Sequence, residues 1–212
     1  MSEKFKNTYR VASARRQKWD YRWDASYFIT ICTKNRAHYF GEINDGKMEL
    51  SHVGILADVF WYEITNHAKS VILDEFVVMP NHIHGILVLQ NGFPPPDYFE
   101  VFDYHSLGDE NDGTGHRSRD RACPVSTPTE TQYHKILTGQ NRFQNPGKNS
   151  VSSIIGSYKS SVTKHANRLN LENGWQTRFH DNIIRSKDDY FRIKNYIRNN
   201  PKNWEKDRFR KD

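Results

Sequence analysis

The sequence predicts an α+β domain in which one antiparallel sheet carries helices packed against it. Two patterns predict it. Runs rich in aromatic and β-branched residues alternate with runs of helical periodicity, and their order is hairpin, helix, hairpin, helix. Ser26–Thr33 (SYFITICT) reads as a strand. His38–Leu50 holds the turn signal Asn44-Asp45-Gly46 between short apolar runs and reads as a hairpin. Ser51 opens a helix over Val53–Lys69, with Ile55, Leu56, Val59, Phe60 and Ile64 at helical spacing. Val71–Met79 and His82–Gln90 are two strands joined by Pro80-Asn81. Ser150–Leu169 is a second long helix whose apolar stripe is Val151, Ile154, Ile155, Tyr158, Val162 and Ala166. Trp175–Arg185 is short and extended, and Lys187–Asn199 is the last helix. Pro201 ends it, since the residue before a proline is pushed out of the α region.

Composition bounds the function classes. The chain has 212 residues, 31 Lys+Arg against 25 Asp+Glu, and a net charge of +6. Aromatics reach 13%, which points to a ring-rich core rather than a disordered chain. With only two cysteines, Cys32 and Cys123, a disulfide scaffold and a Cys-rich zinc module are excluded. The start is polar and basic, without an apolar signal core, and no run approaches a membrane span. The expectation is a soluble protein of a reducing compartment, cytoplasmic, with a basic balance that permits nucleic acid. Residues 1–25 read as a basic N-terminal arm, 26–90 and 149–204 as one domain, and 205–212 as a charged tail. Residues 91–148 hold six of the eight prolines and six of the twelve glycines. They read as a solvated, flexible insertion.

The chemistry-bearing residues are few. In His82-Ile83-His84, strand alternation places both imidazoles on one face, with Ile83 and Ile86 expected on the other. Two imidazoles on one strand face can converge on a divalent metal, or simply sit solvated. Two ligands are too few for a tight site, and His180, Asp181 and the Asn200 amide are possible completions. Arg192, Tyr196 and Asn200 share one stripe of the last helix, beside the core stripe of Ile193 and Ile197. Over residues 1–22, Lys4, Lys6, Arg10, Arg15, Arg16, Lys18 and Arg22 face only Glu3 and Asp20. Trp19, Tyr21 and Trp23 are interleaved with them, a mixture suited to phosphate contact and base stacking. The same residues suit a core latch with a solvated charged face.

Taken in order, HxH within VVMPNHIHGILVL, the block WQTRFHDNIIR, and Tyr196-Ile-Arg-Asn-Asn200-Pro201 resemble the single-tyrosine HUH transposases. The resemblance is strongest to the REP-associated tyrosine transposases, and covers nearly everything outside the insertion. It implies a five-stranded antiparallel sheet with helices on both faces, of ferredoxin/RRM-like type. His82 and His84 are then ligands of Mg²⁺ or Mn²⁺, Tyr196 is the nucleophile, and Asn200 stands where relatives place a third, amide ligand. Asn is one methylene shorter than the Gln often found there. His180 and Asp181 are site support. Arg15, Arg16, Lys18, Trp19, Tyr21, Arg178, Arg185 and Arg192 are expected to bind single-stranded DNA carrying a hairpin from an imperfect palindrome. The implied protein is nucleoid-associated and acts as a monomer or homodimer. Rival readings are a hairpin-binding protein without catalysis and a metal-dependent phosphodiesterase that uses water, with Tyr196 only packing.

Overall fold

The computed structural model describes residues 19–97, 99–107 and 147–210, together with the backbone of two paired two-residue strands, β1 (Lys4–Phe5) and β2 (Thr8–Tyr9). The expected DNA contacts Arg15, Arg16 and Lys18, the second cysteine Cys123 and most of the insertion lie outside the described residues. The central sheet contains β3 (Ala25–Cys32), β6 (Val71–Met79), β7 (His82–Leu89) and β8 (His180–Ile183). Its order is β6-β7-β3-β8, antiparallel throughout. Among the described residues it has four strands, not five. The remaining hairpin, β4 (Gly41–Asn44) and β5 (Lys47–Leu50), pairs only with itself. Its turn places Asp45 and Gly46 at φ 50° and 70°, the left-handed pair that the Asn-Asp-Gly signal requires.

Each long helix begins where a serine can accept an orphan backbone N–H. Ser51 caps α1 (His52–Tyr62), Ser150 caps α3 (Val151–Arg168) and Ser186 caps α4 (Lys187–Asn199). The run expected as one helix over 53–69 breaks at Glu63 into α1 and a single-turn α2 (Ile64–His67).

The two faces of the sheet have different fates. Tyr27, Ile29, Ile31, Ile83, Leu87 and Leu89 pack in one cluster with Val53, Ala57 and Trp61 of α1 and Val151, Ile155, Tyr158 and Val162 of α3. Gly85, directly after the two histidines, makes this possible, because a Cβ there would lie 2.3 Å from the Trp61 ring. On the opposite face Ile86 and Val88 pack with Ile184 and with Tyr190, Ile193 and Ile197 of α4. Ile86 therefore shares the histidines' face and does not oppose it, as the period of two from His82 and His84 demands.

The chain on either side of the expected domain is also structured. Residues 91–107 begin the expected loose insertion, yet Phe102 is buried and stacks on Tyr190, and Phe99 packs on Trp19 and Trp23. Asn91 bonds both the Arg22 carbonyl at 2.8 Å and the Asn149 carbonyl at 3.1 Å, so the flanks of the insertion are clasped together. At the other end, residues 205–210 are not a free charged tail: a 3₁₀ turn (Pro201–Lys206) carries Trp204, and Phe209 beyond it, into buried positions. Asn200 also differs from expectation. It keeps helical angles (φ −58°, ψ −44°), because Pro201 starts the next helical turn directly and the chain never turns away.

Candidate metal and tyrosine site

The histidine face of β7 is covered by α4 as far as Tyr196 and by residues 204–209 beyond it. Both imidazoles are buried, with ring centroids 4.5 Å apart. The Tyr196 phenol lies 3.2 Å from Nε2 of His84, and its ring meets Phe28 edge-on at 6.2 Å. The side chain is 41% exposed, so the nucleophile expected from the sequence sits at the rim of the pair, open to a substrate. The i, i+4 stripe holds: Asn200 stands one turn beyond Tyr196, buried beside His82.

The residue that sequence reasoning missed is Asp207. Ligand atoms of His82, His84 and Asp207 all lie within 4.8 Å of one another, and an Asp207 carboxylate oxygen is 4.0 Å from Nε2 of His82. Asn200 donates its amide N–H to that carboxylate at 3.0 Å. Trp204 and Phe209, flanking Asp207 at short spacing, were the one available sign that this charged stretch docks.

The polar accounting identifies a place for a cation. Among the described residues, Nε2 of His82 and Oδ1 of Asn200 are buried acceptors without a hydrogen-bond partner, although native proteins satisfy nearly all such atoms. Two imidazole nitrogens, a carboxylate and an amide oxygen form a mixed N/O donor set of the kind that can hold a divalent metal ion. The residues therefore fit the divalent ion expected from the sequence, with Asp207 added to the ligands and Asn200 serving both as donor to Asp207 and as a neighbouring oxygen. Burial, aided by Arg36, lowers the His82 pKa to about 3, and burial beside His82 lowers that of His84 well below its usual value. Both are thus neutral at physiological pH, the form that binds metal. Burial and the nearby Asp207 raise the Tyr196 pKa, which keeps the phenol protonated.

The other expected site residues divide. His180 pairs in register with Thr30, which is itself opposite His84, but it is exposed and one strand further out. Neither His180 nor Asp181 belongs to the cluster. Arg178, Arg185 and Arg192 are exposed, and Arg192 pairs with Asp189 at 2.7 Å. Trp19 is a correction: it is buried in the core, donates to the Tyr27 hydroxyl at 3.1 Å and meets Trp23 edge-on, so its ring is not offered to a base. Tyr21 is half-buried against the same cluster. Arg22 is forked onto Asp20. Arg36, by contrast, has a buried Nη1 with no protein acceptor and lies over the Phe209 ring at 4.4 Å.

No family model matches the sequence. Over 197 residues, 92% of this chain and 90% of the relative, it is 32% identical to an uncharacterized protein of Haemophilus influenzae (strain Rd), and the chain belongs to the family of that protein. Among solved structures it is similar to a REP-associated tyrosine transposase bound to a REP hairpin, with 16% identity, 92% of this chain and 74% of that one covered, and a TM-score of 0.49. It is also similar to a Deinococcus radiodurans R1 protein described as a transposase, with 14% identity, 89% and 97% covered, and a TM-score of 0.32. Among the described residues, no helix is long and apolar enough to cross a membrane.

Proposed function

We propose that this protein is a divalent-metal-dependent endonuclease and strand transferase, a single-tyrosine transposase acting on single-stranded DNA that bears a hairpin. The reading fits a cytoplasmic, nucleoid-associated enzyme closest to the REP-associated branch its motifs resemble. The observation that carries it is the meeting of Tyr196 with the imidazole pair: a phenol 3.2 Å from His84, half-exposed, beside a third acidic donor.

His82, His84 and Asp207, with Asn200 beside them, would hold the cation, which when bound withdraws charge from a phosphate and orients it. The Tyr196 oxygen attacks phosphorus and the bond to the 3′ oxygen breaks, with the phenolic proton ending on that departing oxygen. The products are a 5′-phosphotyrosine and a free 3′-OH. A phenol is a weak nucleophile in its protonated form, so its placement at the cluster is what makes it competent. Phenolate leaves readily in turn, and attack by another 3′-OH rejoins strands with no external energy source. Arg178, Arg185 and Arg192, exposed on β8's flanks and α4, suit the phosphates of the strand.

The test is a denaturing-gel assay for a covalent protein–DNA species with a single-stranded hairpin substrate and Mn²⁺. Tyr196→Phe is expected to lose the adduct while still binding the hairpin, and alanine at both His82 and His84 to lose cleavage. Cleavage that survives Tyr196→Phe would assign the reaction to water instead.

A further inference from the structure

Asn81 is fully buried in the two-residue connection between β6 and β7, immediately before His82. Its amide N–H groups donate to two backbone carbonyls, that of Phe209 at 2.9 Å and that of Arg36 at 3.3 Å. Carbonyl oxygens only accept, so the nitrogen of the Asn81 amide must face them and its oxygen must face the other way. That oxygen lies 2.9 Å from Nδ1 of His82. An acceptor there requires Nδ1 to carry the proton, and Nε2, buried and without a partner among the described residues, is left with its lone pair free, 4.0 Å from an Asp207 carboxylate oxygen.

Asn81 thereby ties two further segments to its own, residues 33–36 and 207–209. The Arg36 carbonyl belongs to a turn in which Asn35 and Arg36 both hold left-handed angles (φ 55° and 61°) that side chains disfavour. The Phe209 carbonyl belongs to the stretch carrying Asp207, whose carboxylate accepts the Phe209 N–H at 2.6 Å. The Asn81 carbonyl itself accepts from the Thr33 N–H at 2.9 Å and from the Thr33 hydroxyl at 3.0 Å.

We propose that Asn81 is a positioning residue that sets the tautomer of His82 and pins the Asp207 segment opposite it, so that one amide assembles both sides of the cation site. The proposal rests on reading the cluster as a cation site and deepens it. Metal-binding imidazoles generally give their second N–H to a fixed acceptor, and losing that acceptor costs ten- to a hundredfold in affinity. Here the acceptor has a further role as the clasp of the opposing ligand.

The experiment is long-range ¹H–¹⁵N NMR of the histidine rings in metal-free, DNA-free protein at neutral pH, with Mn²⁺ titration calorimetry alongside. The unaltered protein is expected to show His82 protonated on Nδ1. Asn81→Asp keeps the acceptor but not the donors, so it should retain that tautomer and still lose about tenfold or more in Mn²⁺ affinity. Asn81→Ala should lose both the tautomer preference and the affinity. A proton on Nε2 of His82 in the unaltered protein overturns the proposal, and this reading needs no variant to fold. Mn²⁺ affinity unchanged in both variants overturns the clasp. An unaltered protein that shows the Nδ1 tautomer but binds no Mn²⁺ overturns the cation reading beneath it, independently of the adduct assay.

Discussion

Residues 19–23 and 203–210 look alike as sequence: each mixes tryptophan with other rings, arginines and acids. Their destinations are opposite. In the first, Trp19 and Trp23 turn into the core against Tyr27 and Phe99, and the charges neutralise one another through Arg22 on Asp20. In the second, Phe209 lies against both imidazoles at 4.8 and 5.6 Å, Trp204 stacks near His82, and Asp207 faces the ring nitrogens. Composition predicts only that such a stretch is amphipathic. What it docks on decides whether it becomes core or site: a buried Tyr27 hydroxyl needing a donor in one place, buried ring nitrogens needing a charge in the other.

The largest effect that could break this comparison is Trp19→Ala. The substitution removes a buried indole from an aromatic cluster and strips the Tyr27 hydroxyl of its donor, for an expected loss of about 3–5 kcal/mol in unfolding free energy by denaturant titration. Mn²⁺ affinity of the folded fraction should not change. A variant as stable as the parent but weaker in hairpin binding would return Trp19 to the DNA surface.

Asp207→Ala probes the other member. Its removal takes the charged donor from the cluster, and the expected loss is about a hundredfold in Mn²⁺ affinity by calorimetry, roughly 3 kcal/mol. Affinity unchanged in that variant would make residues 205–210 packing alone and leave Asn200 as the third ligand.

The strands of the central sheet, the helix opened by Ser51 and the shared face of His82 and His84 were legible, because period and caps are local properties. Tyr196 and Asn200 were legible as a stripe because helical spacing fixes which side chains share a face. Asp207 was not, since its approach to His82 crosses 125 positions of chain (207 − 82) and depends on Phe209 and Trp204 docking against the imidazoles. The Asn200 angles were misjudged for a related reason: the pre-proline rule is a statistical bias, and a proline that itself opens a helical turn lets its predecessor remain helical. Residues 91–107 were misjudged because punctuation by proline hides Phe99 and Phe102, the rings that tie this stretch down.

Acid provides the subtlest separation of the two regions. His82 is held neutral to about pH 3 by burial and by the guanidinium of Arg36, with Arg208 acting the same way, and His84 is held neutral by burial beside it; Asp207 opposes the shift on His84 but does not reverse it. An unfolded chain takes up a proton at each histidine once the pH falls below about 6.5, whereas the folded protein does not. Unfolding therefore binds protons in that window, and stability must fall as the pH drops from about 6.5 toward 3. For His82 alone the loss is roughly 2 kcal/mol at pH 5 relative to pH 7. The Trp19 cluster has no such dependence, so the Trp19→Ala penalty should be the same at both pH values. His82→Gln should flatten the acid slope by one proton, measured by denaturant titration across pH 7 to 5. An unchanged slope in His82→Gln would mean that this imidazole takes up its proton as readily in the folded protein as in the unfolded chain, contrary to burial holding it neutral.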